Sequence, residues 1–347
     1  MRSGIQSPQG GVARYYRIDL GRYAAVSAEI TGYAASTLVY LYRRTGRAEY
    51  LDAGIRAARF LARDAWNPEL GVIPFEYPWA TANGVPPAYF FDCGIIVRGL
   101  LAVWRECRDS ELLEAAVRTG RSMAHEFVRG GVIHPVVLLP EKRPAPHEAR
   151  WSREPGCFQL KSAMGWEDLF EATGDAGFRS WYEEAFRSAL VNHAGFLPGP
   201  DLGHAVMDRL HAYCYFLEGL SPRASRPDGA QTLRDGIERV AAMLRDISPE
   251  FERSDVCAQL LRLRLYAHGA GILPLDAAAA REEAARTAAY QLDFADVRLA
   301  GAYGFGRKGG EALPFANPVS TVFAMQALDQ WARFQLGEFS SDRHELI

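Results

Sequence analysis

The chain has 347 residues, 48% of them hydrophobic and 23% charged, and a formal net charge of −3. This composition is globular, not disordered or fibrous, and the small net charge offers no general attraction to nucleic acid or to an anionic membrane. No uncharged apolar run reaches the roughly 18 residues of a membrane span, and the start, MRSGIQSPQGGVARYYRIDL, lacks the apolar core of a secretory peptide, so a cytoplasmic location is expected.

In chain order, two kinds of helical segment alternate. YAAVSAEITGYAASTLVYLY (23–42) is apolar on nearly every side. AEYLDAGIRAARFLARDAW (48–66) is amphipathic, with a stripe of Leu51, Ile55, Ala58, Phe60 and Leu61. The pairing repeats as AYFFDCGIIVRGLLAVW (88–104) with SELLEAAVRTGRSMAHEFV (110–128), then PGCFQLKSAMGWEDLFEATG (155–174) with FRSWYEEAFRSALVNHAGF (178–196). DRLHAYCYFLEGL (208–220) precedes AQTLRDGIERVAAMLRDI (230–247), FERSDVCAQLLRLRLYAHG (251–269) precedes AAAAREEAARTAAYQLDF (277–294), and NPVSTVFAMQALDQW (317–331) closes the series. A helix apolar all round is buried all round, whereas a stripe at i, i+3, i+4 and i+7 covers a core on one side only.

Six buried helices are thus expected from near 22, 89, 156, 208, 254 and 317, with five exposed ones between them. A sixth outer element is expected from ARFQLGEFSSDRHELI or from the N-terminal segment. Gly32, Gly94, Gly99 and Gly165 permit close helix approach, and the Thr-Gly pairs of RTGR (44–47) and ATGDAG (172–177) fit glycine C-caps. GVIPFEY, GGVIHPVVLLP, AGFLPG and AYGFG are strand-like but short, and read as loops with a small hairpin.

Six buried helices alternating with outer ones resembles the (α/α)6 toroid of the six-hairpin glycosidase-like proteins. That superfamily holds glycoside hydrolases, some polysaccharide lyases and related sugar epimerases. The resemblance implies an all-α single domain over 1–347, with six inner and about six outer helices and short hairpins or loops on one face. It also implies a substrate cleft where the inner helices begin. It rests on architecture, so it transfers no catalytic position. A solenoid of helix pairs fits less well, because its repeats are about 34 residues with short loops throughout.

The segments leading into the buried helices are rich in aromatic and charged residues: RYYRIDLGRY, PFEYPWATANGVPPAYFFD, ARWSREPGCFQLK, DLGHAVMDRLHAYCY, PEFERSD and GRKGGEALPFANPVS. The opposite connections, such as YRRTGRAEY, are plain polar turns. Rings that stack on pyranoses beside groups that bond hydroxyls are what saccharide recognition needs. Tyr23, Glu76, Trp151, Arg153, Lys161, Tyr213, Arg253, Asp255 and Asn317 are the candidate substrate-binding residues. Asp255 after Ser254 also fits a helix start, and Asn317 before Pro318 a cap. Glu29 and Glu167 lie inside buried helices, where a carboxylate must be paired or line a cavity; Lys161 and Arg98 are possible partners.

Asp92, Asp208 and His211 are the candidate catalytic residues. Asp92 sits in FFDCG, where burial raises a carboxyl pKa and suits a general acid, and glycoside hydrolysis uses two carboxyls. His211, one turn from Asp208 and two residues from Tyr213, offers the alternative of proton abstraction by a lyase or epimerase. A non-catalytic saccharide-binding protein is the third reading. Basic residues in the same segments favour an acidic saccharide. The five cysteines (Cys93, Cys107, Cys157, Cys214 and Cys257) never form C-x-x-C, H-E-x-x-H is absent and the glycine-rich AYGFGRKGGE lacks P-loop spacing. No metal or cofactor is therefore expected.

Overall fold

The computed structural model describes residues 3–79, 84, 86–148, 150–197, 203–248 and 250–347, with backbone alone for 203–205. Packing divides the chain into two compact units: Ser3–Arg14 with Tyr23–Ala189, and Tyr15–Arg22 with Leu190–Ile347.

The first unit starts with α1 (Ala28–Thr45) and α2 (Ala48–Phe60), continues with α3 (Phe90–Cys107) and α4 (Ser110–Phe127), and contains α5 (Gln159–Thr173) and most of α6 (Ala176–Asn192). Two-residue links make each pair an antiparallel hairpin. Gly46 and Gly174 end α1 and α5 in the left-handed region, at φ 69° and 75°, as the Thr-Gly pairs predict. The apolar helices are the inner ones: almost every residue of α3 from Phe90 to Val103 is buried, while α2 and α4 bury one face.

Inner helices run side by side in the same direction. Between α3 and α5, Ser162 Oγ donates to the Phe91 carbonyl at 2.7 Å, and further along Arg98 Nε pairs with Asp168 at 3.1 Å. Between α1 and α3, Gly32 lies on Ile95, and a full helix length onward Arg43 pairs with Glu106 at 2.6 Å. Glycine makes these approaches possible. A Cβ on Gly94 would stand 2.4 Å from the Ser162 Cα, and one on Gly99 would stand 2.5 Å from the Gly32 carbonyl oxygen.

The second unit holds α7 (Gly203–Gly219), α8 (Pro227–Ile247), α9 (Ser254–Gly269), α10 (Ala277–Ala288) and α11 (Pro318–Gln335). Here too the inner helices are parallel neighbours. Asp208 meets Arg253, His211 meets Gln259, and Glu218 meets Arg262, in ascending order along α7 and α9. Arg262 is fully buried and is held by Glu218, by Gln326 Oε1 at 2.7 Å and by the face of Phe323. A charge so deep is tolerated because both Nη groups meet acceptors and a carboxylate balances the charge, although Nε stays unpartnered.

The strand-like stretches form several small antiparallel sheets, more than the one hairpin expected. They sit at inner-helix starts: Val26–Ser27, leading into α1, pairs with Val12–Ala13 and Glu76–Tyr77, and Phe251–Arg253, leading into α9, pairs with Gly306–Lys308. AGFLPG instead begins in a 3-10 turn at His193–Gly195, and its residues 198 and 199 lie outside the described residues. Among the described residues no twelfth helix forms. Residues 336–347 follow α11 as a tail that buries Leu346 and Ile347.

Replacing Gly94 by Ala is expected to destabilise the protein by about 1–3 kcal/mol, the usual cost of overpacking, because the methyl meets backbone. Thermal denaturation of Gly94→Ala beside Gly46→Ala, where a Cβ meets nothing within 4 Å but φ is positive, separates the packing cost from backbone strain.

Candidate functional site

In the first unit, the first turns of α1, α3 and α5 present Glu29, Asp92 and Gln159. Asp92 is the third residue of α3, 5% exposed, and its Oδ2 is buried without a hydrogen-bond partner. Burial pushes its pKa well above the usual carboxylate range; the charge of Glu29 pushes it further, and Arg14 opposes. Glu29 is raised by burial to about 7, again against Arg14. Glu29 is closely surrounded by protein, yet the residue keeps partial solvent contact. Burial thus raises both carboxyls, and the charge of Glu29 adds to the shift of Asp92.

Several sequence-predicted residues gather around this pair. Arg14 reaches Glu76 at 3.6 Å and lies over Phe75, whose ring meets Tyr89. The Tyr89 hydroxyl is raised by burial and by Asp92, and is opposed by Arg153, with which it hydrogen-bonds, and by Arg150. Trp151, on a 3-10 turn with Arg153, sets its ring edge on Phe158 at 5.1 Å, and Phe158 meets Phe91, the neighbour of Asp92. Lys161 is fully buried in α5. Tyr23, by contrast, uses its hydroxyl on the Ser3 carbonyl and ties down the N-terminal segment.

The second unit carries a separate cluster at the starts of α7 and α9. Arg253 forks onto Asp255, Nε to Oδ1 at 3.0 Å and Nη2 to Oδ2 at 2.7 Å, and reaches Asp208 through Nη1 at 2.8 Å. Burial works to raise Asp255, but the charge and hydrogen bonds of Arg253 override it and hold it ionised. His211 is 6% exposed, with Nδ1 2.8 Å from Gln259 Oε1 and 3.6 Å from Asp255 Oδ2. Both partners accept, so Nδ1 carries the hydrogen and the neutral ring has its lone pair on Nε2. Burial, then Arg253, lowers this histidine to about 4, so it is neutral at physiological pH.

The structure sorts four sequence expectations, of which the Asn317 cap is met and the others change. Tyr213 does not couple to His211; two residues round a helix is the opposite side, and Tyr213 meets His193 at 3.0 Å, while Tyr215, four residues on, packs on the His211 ring at 4.5 Å. Asp208 has a 48% exposed side chain and serves Arg253, so it is no buried acid. Asn317 caps α11 through Val319 N at 2.9 Å. Glu167 pairs with Arg179, and Arg98 with Asp168. Glu29 and Gln159 are what sequence reasoning underweighted: Glu29 was legible as a lone acid in an apolar helix, whereas Gln159 gave no signal. Residues 80–83, 85, 149, 201, 202 and 249 of the aromatic-rich segments lie outside the described residues.

These features define a known class of fold: the chain has an (α/α)6 toroid. It is similar to a sugar epimerase from a ruminal bacterium, at 12% identity over 95% of this chain and 94% of that one, with a TM-score of 0.72. It is also similar to cellobiose 2-epimerase from Spirochaeta thermophila (16% identity, 95% and 93% covered, TM-score 0.66) and to an α-amylase from Clostridium perfringens (12%, 94% and 97%, 0.61). No family model and no curated protein matches.

The Asp92 environment has a consequence for stability. Its folded-state pKa exceeds that of the unfolded chain, so above about pH 4 the folded state holds more protons and stability falls as pH rises. Asp92→Asn cannot ionise in either state. Its melting temperature relative to wild type should climb from pH 4 to pH 8; a difference independent of pH would show that Asp92 ionises normally.

Proposed function

We propose that this protein is a carbohydrate-active enzyme that cleaves glycosidic bonds with Asp92 as general acid and Glu29 as base or nucleophile. The observation that carries the reading is the pair itself: two enclosed carboxyls on adjacent first turns, both raised by burial and Asp92 raised further by Glu29, with one oxygen of Asp92 unpartnered. Glycoside hydrolysis needs a protonated carboxyl at the leaving oxygen and an ionised one across the sugar. Asp92, the more strongly buried, keeps the proton. Glu29, which touches solvent, is the one that ionises. Trp151 and Tyr89 offer ring faces, and Arg14, Arg150 and Arg153 favour an acidic saccharide such as a uronate. Solved structures of similar fold include an α-amylase, which agrees with this chemistry.

One observation favours a second reading. His211 is held neutral with its lone pair on Nε2, backed by ionised Asp255, which is the form of a base that takes a proton from sugar carbon. Similar solved structures that are sugar epimerases agree with it. A conjugate-acid pKa of about 4 makes this histidine a weak base, so the carboxyl pair takes precedence.

Incubation with neutral and uronate-containing oligosaccharides should release new reducing ends. Asp92→Asn should lower kcat by about 10²–10⁴, the range of general acid catalysis. Activity should rise through pH 7 as Glu29 ionises and fall at higher pH as Asp92 loses its proton; Glu29→Gln should lose nearly all activity, and any residue of it should lack the rising limb. If Asp92→Asn turns over fully while His211→Gln stops deuterium uptake from heavy water into the sugar, proton abstraction is the activity and hydrolysis is not.

A further inference from the structure

Gln159 opens α5 and is 3% exposed, and neither its Oε1 nor its Nε2 has a hydrogen-bond partner. A primary amide carries two donors and an acceptor with two lone pairs. Native proteins rarely bury such a group empty-handed, because its lost hydration is not returned. The direction of the side chain follows from the helix. Ser162, three residues later on the same face, donates to the Phe91 carbonyl, so this face of α5 looks onto the start of α3. Gln159 stands one turn ahead of that contact. There the first turn of α3 carries Asp92 Oδ2, the other buried oxygen without a partner. The residue before Gln159, Phe158, carries the Trp151 ring.

We propose that Gln159 is a substrate-binding residue whose amide bridges two adjacent hydroxyls of one sugar ring, donating to one from Nε2 and accepting from the other at Oε1. A vicinal diol supplies both halves of that match; a carboxylate or phosphate would leave Oε1 facing a like-natured acceptor. Gln159 thereby reads ring configuration next to the bond on which Asp92 acts. This assignment rests on the carbohydrate reading above.

The test uses the full chain with D-glucose, D-mannose, cellobiose and D-glucuronate as probes, followed by calorimetry and thermal denaturation. Gln159→Met keeps size and removes both polar atoms. In the absence of sugar it should melt above wild type, since an unpartnered group is gone. It should bind the best probe about 10- to 100-fold more weakly, the effect of losing one or two hydrogen bonds. Wild type should also prefer the parent sugar over its 2-deoxy or 3-deoxy form by a similar factor, a preference that Gln159→Met loses. The deoxy comparison on wild type stands even if the variant fails to fold. Equal affinity of variant and wild type overturns the proposal, as does a variant that melts lower while keeping the deoxy preference, which marks an amide satisfied by ordered water only. Wild type binding none of the probes overturns the carbohydrate reading itself.

Discussion

Where α3 meets α5, backbone touches backbone. Gly94 leaves no room between its Cα and Ser162, and Gly165 lies on the Gly94 carbonyl oxygen; Gly99 does the same against Gly32 of α1. Three inner helices of the first unit are thereby drawn together along their length and held in one direction. Parallel packing at that distance leaves their first turns level with one another, and the side chains there have only each other and the entering strands to meet. Glu29 and Asp92 owe their proximity to glycines that carry no chemistry themselves.

The two units place an aspartate at nearly the same point of an inner helix and give it opposite fates. Asp92 and Asp255 are both buried in a first turn. Asp255 has Arg253 two residues before it, turned back by the strand so that the guanidinium forks onto the carboxylate, and it stays ionised. Asp92 makes no ion pair among the described residues; burial and Glu29 raise it against a smaller effect of Arg14, so its carboxyl stays well above the usual range. Desolvation is similar at both sites, so the partner decides the charge state. One arrangement builds a fixed charge beside His211, and the other leaves a carboxyl whose pKa burial raises.

The buried cysteines follow the same logic without chemistry. Cys93, Cys214 and Cys257 are enclosed, and burial raises each thiol, so they are poor nucleophiles that serve as small packing groups. Cys93 and Cys257 share the fourth position of α3 and α9, whereas Cys214 lies well along α7, so their positions are not equivalent.

Periodicity determined the helices. An apolar circumference in AYFFDCGIIVRGLLAVW and a one-sided stripe in its successor are local facts, and they separate inner from outer elements because burial follows hydrophobic pattern. Glycine spacing foretold close packing, Thr-Gly foretold two hairpin turns, and Asp92 stood out as a charge without polar company. What the sequence left open was pairing. Arg98 chose Asp168 over Glu167, and Tyr213 turned to His193 while Tyr215 took His211. Such choices depend on which face of a helix meets which neighbour, a distance-dependent matter of a few ångströms that only the packed chain fixes. Gln159 is the clearest case: polar and unremarkable in sequence, it acquires meaning only because tertiary packing buries its amide and gives it nothing to bind.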